Sequence, residues 1–204
     1  MLPDAESKTA GGTSELTLLT PIKKGIVPGG APQTYLERLR FILWTVDQRI
    51  QKKISTPVQM VGTIHFARWA ILPAVDPQLP YAGQLLFISD FDGSVRSYLR
   101  DFAEKIGPDI DKIWENCVGY PEAGTKNFDE WWDYAKRHQV QCQAFYCAYP
   151  SVTVRDVMHG LWLKKKLDRF WRDKTAREPQ SAWEANDFAR LMSKLLTFSK
   201  EPRS

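Results

Sequence analysis

The chain has 204 residues, 43% of them apolar and 25% charged, with a formal net charge of +4 at pH 7. That length suits one substantial domain with extensions, and so small a charge does not by itself argue for a nucleic-acid partner. No run approaches the roughly 18 uncharged apolar residues of a membrane span. The start, Met1 to Lys8, lacks the basic-then-apolar order of a signal peptide, so a soluble cytoplasmic protein is expected.

Residues 1–14 are rich in Gly, Ser, Thr, Ala and charge and are expected to be a disordered lead-in. Glu15–Ile22 is rich in β-formers and predicts a first strand that Pro21 ends or confines to an edge. After a Gly/Pro loop, Thr34 is placed to cap a helix running to about Lys53. Leu36, Leu39, Leu43, Val46 and Ile50 form its core stripe at alternating spacings of three and four. Two strands follow at 61–72 and 84–91, joined by a loop in which Pro73, Pro77 and Pro80 exclude helix. Both carry apolar side chains on both parities, so both faces of the sheet are expected to need cover.

Asp90 to Ser94 reads as a turn and helix cap. The helix after it sends Val95, Leu99, Phe102 and Ile106 inward, is interrupted at Gly107-Pro108, and resumes through Cys117. Asn127 or Asp129 can cap a short helix to about Gln139, and Val140–Tyr149 predicts a fourth strand stopped by Pro150. A helix is expected from about Ser151 or Thr153 to Lys174, and a last amphipathic one carries Trp183, Phe188, Leu191, Met192, Leu195 and Leu196.

In order, these elements predict an α+β fold with a ferredoxin-like βαββαβ core. Its antiparallel four-stranded sheet carries two long helices on one face, and C-terminal helices follow. The expected organisation is a lead-in over 1–14, a domain over 15–150 and a helical extension over 151–204 packing on the domain, with the second sheet face covered by these helices, by a second subunit or by a ligand. Cys117, Cys142 and Cys147 match no zinc or redox spacing and are expected as buried, reduced thiols.

Three stretches occur in an order that resembles a known group: Leu16 to Gly25, Thr63-Ile-His-Phe-Ala-Arg-Trp69, and Leu85 to Gly93 followed by Tyr98-Leu99. Over about residues 15–150 they resemble a bacterial group of the dimeric α/β-barrel superfamily. That superfamily also contains dye-decolourising peroxidases, chlorite-dismutase-like haem proteins and small ferredoxin-like monooxygenases. The resemblance implies two sheets paired face to face in a homodimer and, in several members, haem held by a histidine. The dye-decolourising peroxidases carry a Gly-x-x-Asp-Gly signature. Phe91-Asp92-Gly93 keeps only its last two letters, so no distal catalytic role is carried to Asp92.

The candidate chemistry is small in extent. His65 and Arg68 have opposite parity on their strand and are expected on opposite faces. His65 can ligate haem iron or a metal, donate a proton, or hydrogen-bond across the sheet. Arg68 on a buried strand calls for an anion, either a carboxylate such as Asp90 or Asp92 or a haem propionate. His159, beside Met158 and Trp162 on a helix, is a second possible iron ligand or an ordinary contact residue, whereas His138 reads as a helix C-terminal residue. Residues 162–174 mix basic and aromatic side chains, as a solvated face does, or a surface for an anionic membrane or a partner groove. Nucleophile elbow, P-loop and dinucleotide fingerprints are missing.

The leading expectation is thus a haem-associated, peroxidase-like oxidoreductase. In it His65 or His159 binds the cofactor, Arg68 acts in catalysis, and a peroxide or small hydrophobic molecule is the substrate. The alternatives are a non-catalytic interaction or hydrophobic small-ligand-binding protein, and a cofactor-independent monooxygenase.

Overall fold

The computed structural model describes residues 7–30, 32–52, 54, 57–177, 189, 190, 192 and 193. Contacts divide the chain into two units, Met1–Val154 and Arg155–Ser204. In the first lie strands β1 (Thr9–Ala10), β2 (Thr13–Lys23), β3 (Ile64–Pro73) and β4 (Tyr81–Asp92), with helices α1 (Tyr35–Gln51), α2 (Val95–Trp114) and α3 (Phe128–His138). A fourth helix, α4 (Val154–Arg177), runs almost wholly in the second. The fold is α+β, with one antiparallel sheet in the order β1-β2-β4-β3.

Alternation along the strands decides what the sheet buries. Leu16, Leu18 and Ile22 on β2 and Leu85, Phe87 and Phe91 on β4 are buried, and they join Leu39 of α1 and Leu99, Phe102, Ile106 and Ile110 of α2 in one core. Burying side chains of this size stabilises by about 1.5–3 kcal/mol each, so this face holds the fold together. The opposite parity, with Leu19, Leu86, Ile88, Phe66 and Leu72, is half-buried or exposed. The strands therefore do alternate, and apolar residues on the outer parity had masked it in the sequence.

The helices start where hydroxyl and amide side chains can satisfy free N–H groups. Thr34 and Glu37 form a reciprocal capping box at α1, Ser94 accepts from the Ser97 N–H at α2, and Asn127 accepts from the Glu130 N–H at α3. On α1 only Leu39 of the expected stripe is fully buried, Leu36 and Leu43 pack partly on the core, and Ile50 is exposed. α2 is interrupted where expected, by a kink at Ile106 just before Gly107-Pro108 (φ −136°, ψ 18°), because Pro108 supplies no N–H to the preceding turn. Gly107 is required there by space, since a Cβ would come within 2.5 Å of the Thr125 Oγ1.

Two expectations fail in this unit. Residues 7–14 are not a disordered lead-in: β1 pairs with the start of β2, Thr9 opposite Ser14 and Ala10 opposite Thr13. The fourth strand at 140–149 does not form. The incoming chain makes a single bridge to the free edge of β2, Leu18 to Gln139, between the β1 pairs at one end and the Ile22–Cys117 bridge at the other. β-forming composition without a ladder to join stays irregular. Pro21 sits on that edge within β2, where its missing N–H costs nothing. Cys117 is buried, and burial pushes its thiol up to about 11, whereas Cys142 and Cys147 are only half-buried. The expected last helix, over 183–196, lies almost wholly outside the described residues.

Candidate functional site

The outer face of the sheet carries the predicted residues, arranged differently from the parity argument. Ile64 pairs with Phe91 and Phe66 with Asp90, so two steps along β3 match one along β4 and His65 sits in a β-bulge. The bulge turns His65 to the same side as Arg68, and the expectation of opposite faces is thereby corrected. A local insertion of this kind shifts side-chain alternation without leaving any mark in a count of parities.

His65 Nε2 lies 2.8 Å from Asp92 Oδ1, and both side chains are largely buried. The other Asp92 oxygen accepts from the Val154 N–H at 2.8 Å, so this carboxylate is held from two sides. Beside it, Asp90 is held above the usual carboxylate range because burial outweighs the attraction of Arg68 and His65. The Arg68 guanidinium is 3.9 Å from Asp90 and largely exposed, a pairing worth little. Glu15, opposite Asp90 on β2, is buried and accepts from the Lys8 N–H and the Thr17 hydroxyl.

An Asp–His pair moves protons usefully when a nucleophile or substrate group completes it. Here the nearby Ser14 hydroxyl donates to the Gly93 carbonyl and the Thr17 hydroxyl to Glu15. Iron ligation by His65 through Nε2 needs the Asp92 bond to break, and Nδ1 lies on the crowded side of the ring next to its own Cβ. His159 belongs to the second unit, on α4, where its ring stacks on Trp162 with centroids 5.9 Å apart. Among the described residues no group of three or more His, Cys, Asp or Glu side chains is arranged to hold a metal. His65 is thus already engaged by Asp92, and no step is derived through haem.

Comparison with family models, with curated proteins and with solved structures returns no match. The functional reading therefore rests on geometry. No helix among the described residues is long and apolar enough to cross a membrane.

Beyond the polar end, the outer face is apolar. Leu19 and Pro21 on β2, Leu86 and Ile88 on β4, and Phe66, Ala70 and Leu72 on β3 share its parity, and Phe66 is 68% exposed.

Two features on the helix side were not foreseen. The first is a latch: Asp111 accepts from the Tyr120 hydroxyl (2.6 Å), the Thr125 N–H (2.9 Å) and the Thr125 hydroxyl (3.2 Å), tying the loop after α2 back onto it. Burial, then the bond and charge of Asp111, push the Tyr120 hydroxyl far up, which suits a structural donor. The second is an apolar cleft of about 70 Å³ between α1, the kinked α2 and Trp69 of β3. The proline at 108 was a sequence signal for the kink, but nothing in the sequence marked a cleft beside it.

Proposed function

We propose that this protein is a non-catalytic interaction module with a ferredoxin-like core, and that its open sheet face packs against the same face of a second copy. The element order β2-α1-β3-β4-α2, with both helices on one side of an antiparallel sheet, supports the ferredoxin-like part, with the β1 hairpin standing where a fourth long strand was expected. The single observation that carries the functional part is the outer apolar surface, with Leu86 and Ile88 on β4 and, along the edge strand β3, exposed Leu72 and Phe66, the latter opposite Asp90 at the polar end. A patch of this kind on a sheet is the usual mark of an interaction surface.

Self-pairing fits its charge. Arg68 projects from the middle of the patch, loosely held by Asp90, and the acidic end of the same face supplies carboxylates for the Arg68 of a second copy. The His65–Asp92 pair then serves as a fixed corner of the face and needs no substrate. The test introduces Phe66→Asp or Ile88→Asp and measures sedimentation together with near-ultraviolet circular dichroism. Dissociation with an unchanged aromatic spectrum supports the reading. Variants that sediment as the unmodified chain does contradict it.

A further inference from the structure

We infer that α4 is a peripheral membrane contact, laying one exposed ridge against a bilayer surface that carries anionic headgroups. Met158, Leu161, Lys165, Arg169 and Arg172 follow one another at spacings of three and four, so they line one side of the helix. All five are exposed, Met158 at 62% and Leu161 at 57%. Leu163, Leu167 and Phe170 repeat the spacing on the opposite side and are half-buried. The helix therefore keeps one side covered and shows another that is apolar over its first turns and basic over the next, about 17 Å from Met158 to Arg169.

The helix does not cancel the charge of this ridge. Asp168 is taken by Lys164 at 2.6 Å, and Asp156 and Asp173 lie off the ridge by their helical positions. Lys165 and Arg169 have no hydrogen bond or ion pair among the described residues. An occupant must therefore supply anions and hydrocarbon together. Nucleic acid supplies phosphates, but Met158 and Leu161 are aliphatic and give a base no aromatic platform. Protein interfaces favour aromatic and Arg side chains and are poor in Lys, whereas three consecutive lysines, Lys164 to Lys166, stand here. A fluid anionic surface asks no fixed geometry of an ammonium group, and its acyl boundary takes up Met and Leu side chains. The ridge belongs to the second unit, and its contact with lipid does not depend on the self-pairing face.

The experiment co-sediments the full chain with vesicles of phosphatidylcholine, alone or with about 30% phosphatidylserine, at low and high salt. The expected result is binding to the anionic vesicles that weakens with salt, and none to phosphatidylcholine alone. Lys165→Gln with Arg169→Gln should weaken binding roughly 25-fold, about fivefold for each charge removed. Met158→Ser with Leu161→Ser leaves the charge unchanged and should also weaken it, by about fivefold or more. Both pairs replace exposed side chains with polar ones, and far-ultraviolet circular dichroism checks that the helices persist. Absence of binding to anionic vesicles, or equal binding to both kinds, overturns the membrane contact. Full binding by the glutamine pair overturns the ridge as its seat, and full binding by the serine pair overturns insertion of its apolar end. A single-stranded oligonucleotide that displaces the chain from vesicles, and binds the serine pair undiminished, assigns the ridge to nucleic acid instead.

Discussion

The two faces of one sheet use nearly the same residue types to different ends. Toward the helices, Leu85, Phe87 and Phe91 interleave with Leu99, Phe102 and Trp114, and Phe87 meets both Phe102 and Trp114 edge to face. One residue along the same strand, Leu86 and Ile88 face outward beside Phe66, which remains exposed. The alternation of β4 thus builds a core on one side and leaves a matching apolar surface on the other. Hydrophobicity alone does not separate a residue that stabilises the monomer from one that is available for association.

Substitutions can break that comparison directly. Phe87→Ala should destabilise the fold by about 3–5 kcal/mol, through lost burial and the cavity left behind. Ile88→Ala, its outward neighbour, should cost about 1 kcal/mol or less in the dissociated chain. Urea unfolding at low protein concentration measures both, and equal losses would show that the outer face is as packed as the inner. On the helix side, Asp111→Ala strands the Tyr120 hydroxyl and the Thr125 N–H, and a loss of about 2 kcal/mol is expected in the same assay. At the end of α1, Thr34→Ala removes half of the capping box and should cost about 1 kcal/mol.

The smallest effect concerns pH. Burial raises the Asp90 carboxyl in the fold, so the folded state binds that proton more tightly than the unfolded chain does. Its contribution to stability is complete below the ordinary aspartate value and fades as pH rises through the raised folded one. Asp90→Asn removes the dependence, so the variant should gain stability relative to the unmodified chain between acid and neutral pH, by a fraction of a kcal/mol. A relative loss over that range, measured by thermal unfolding, would mean that Arg68 dominates instead.

Much of the fold was legible in the chain because local chemistry states it. Thr34, Ser94 and Asn127 announced helix starts with side chains suited to the task, and the Pro-rich link between β3 and β4 excluded helix. What escaped was non-local. Whether Val140–Tyr149 becomes a strand depends on pairing with the edge of β2, where the chain makes only the bridge of Leu18 to Gln139, a contact that local composition does not state. The site suffered in the same way: one inserted residue at the β3 bulge moved His65 beside Arg68, and the Asp92 contact that occupies the ring appears only when β3 and β4 are aligned. The unpaired state of the Trp69 N–H likewise belongs to three-dimensional packing.

The most direct test of the account is the mass of the unmodified chain in solution, measured by light scattering across a range of concentrations. A self-pairing outer face requires a species of twice the 23.5 kDa chain that dissociates on dilution. A constant 23.5 kDa at the highest concentration would contradict the proposed interface.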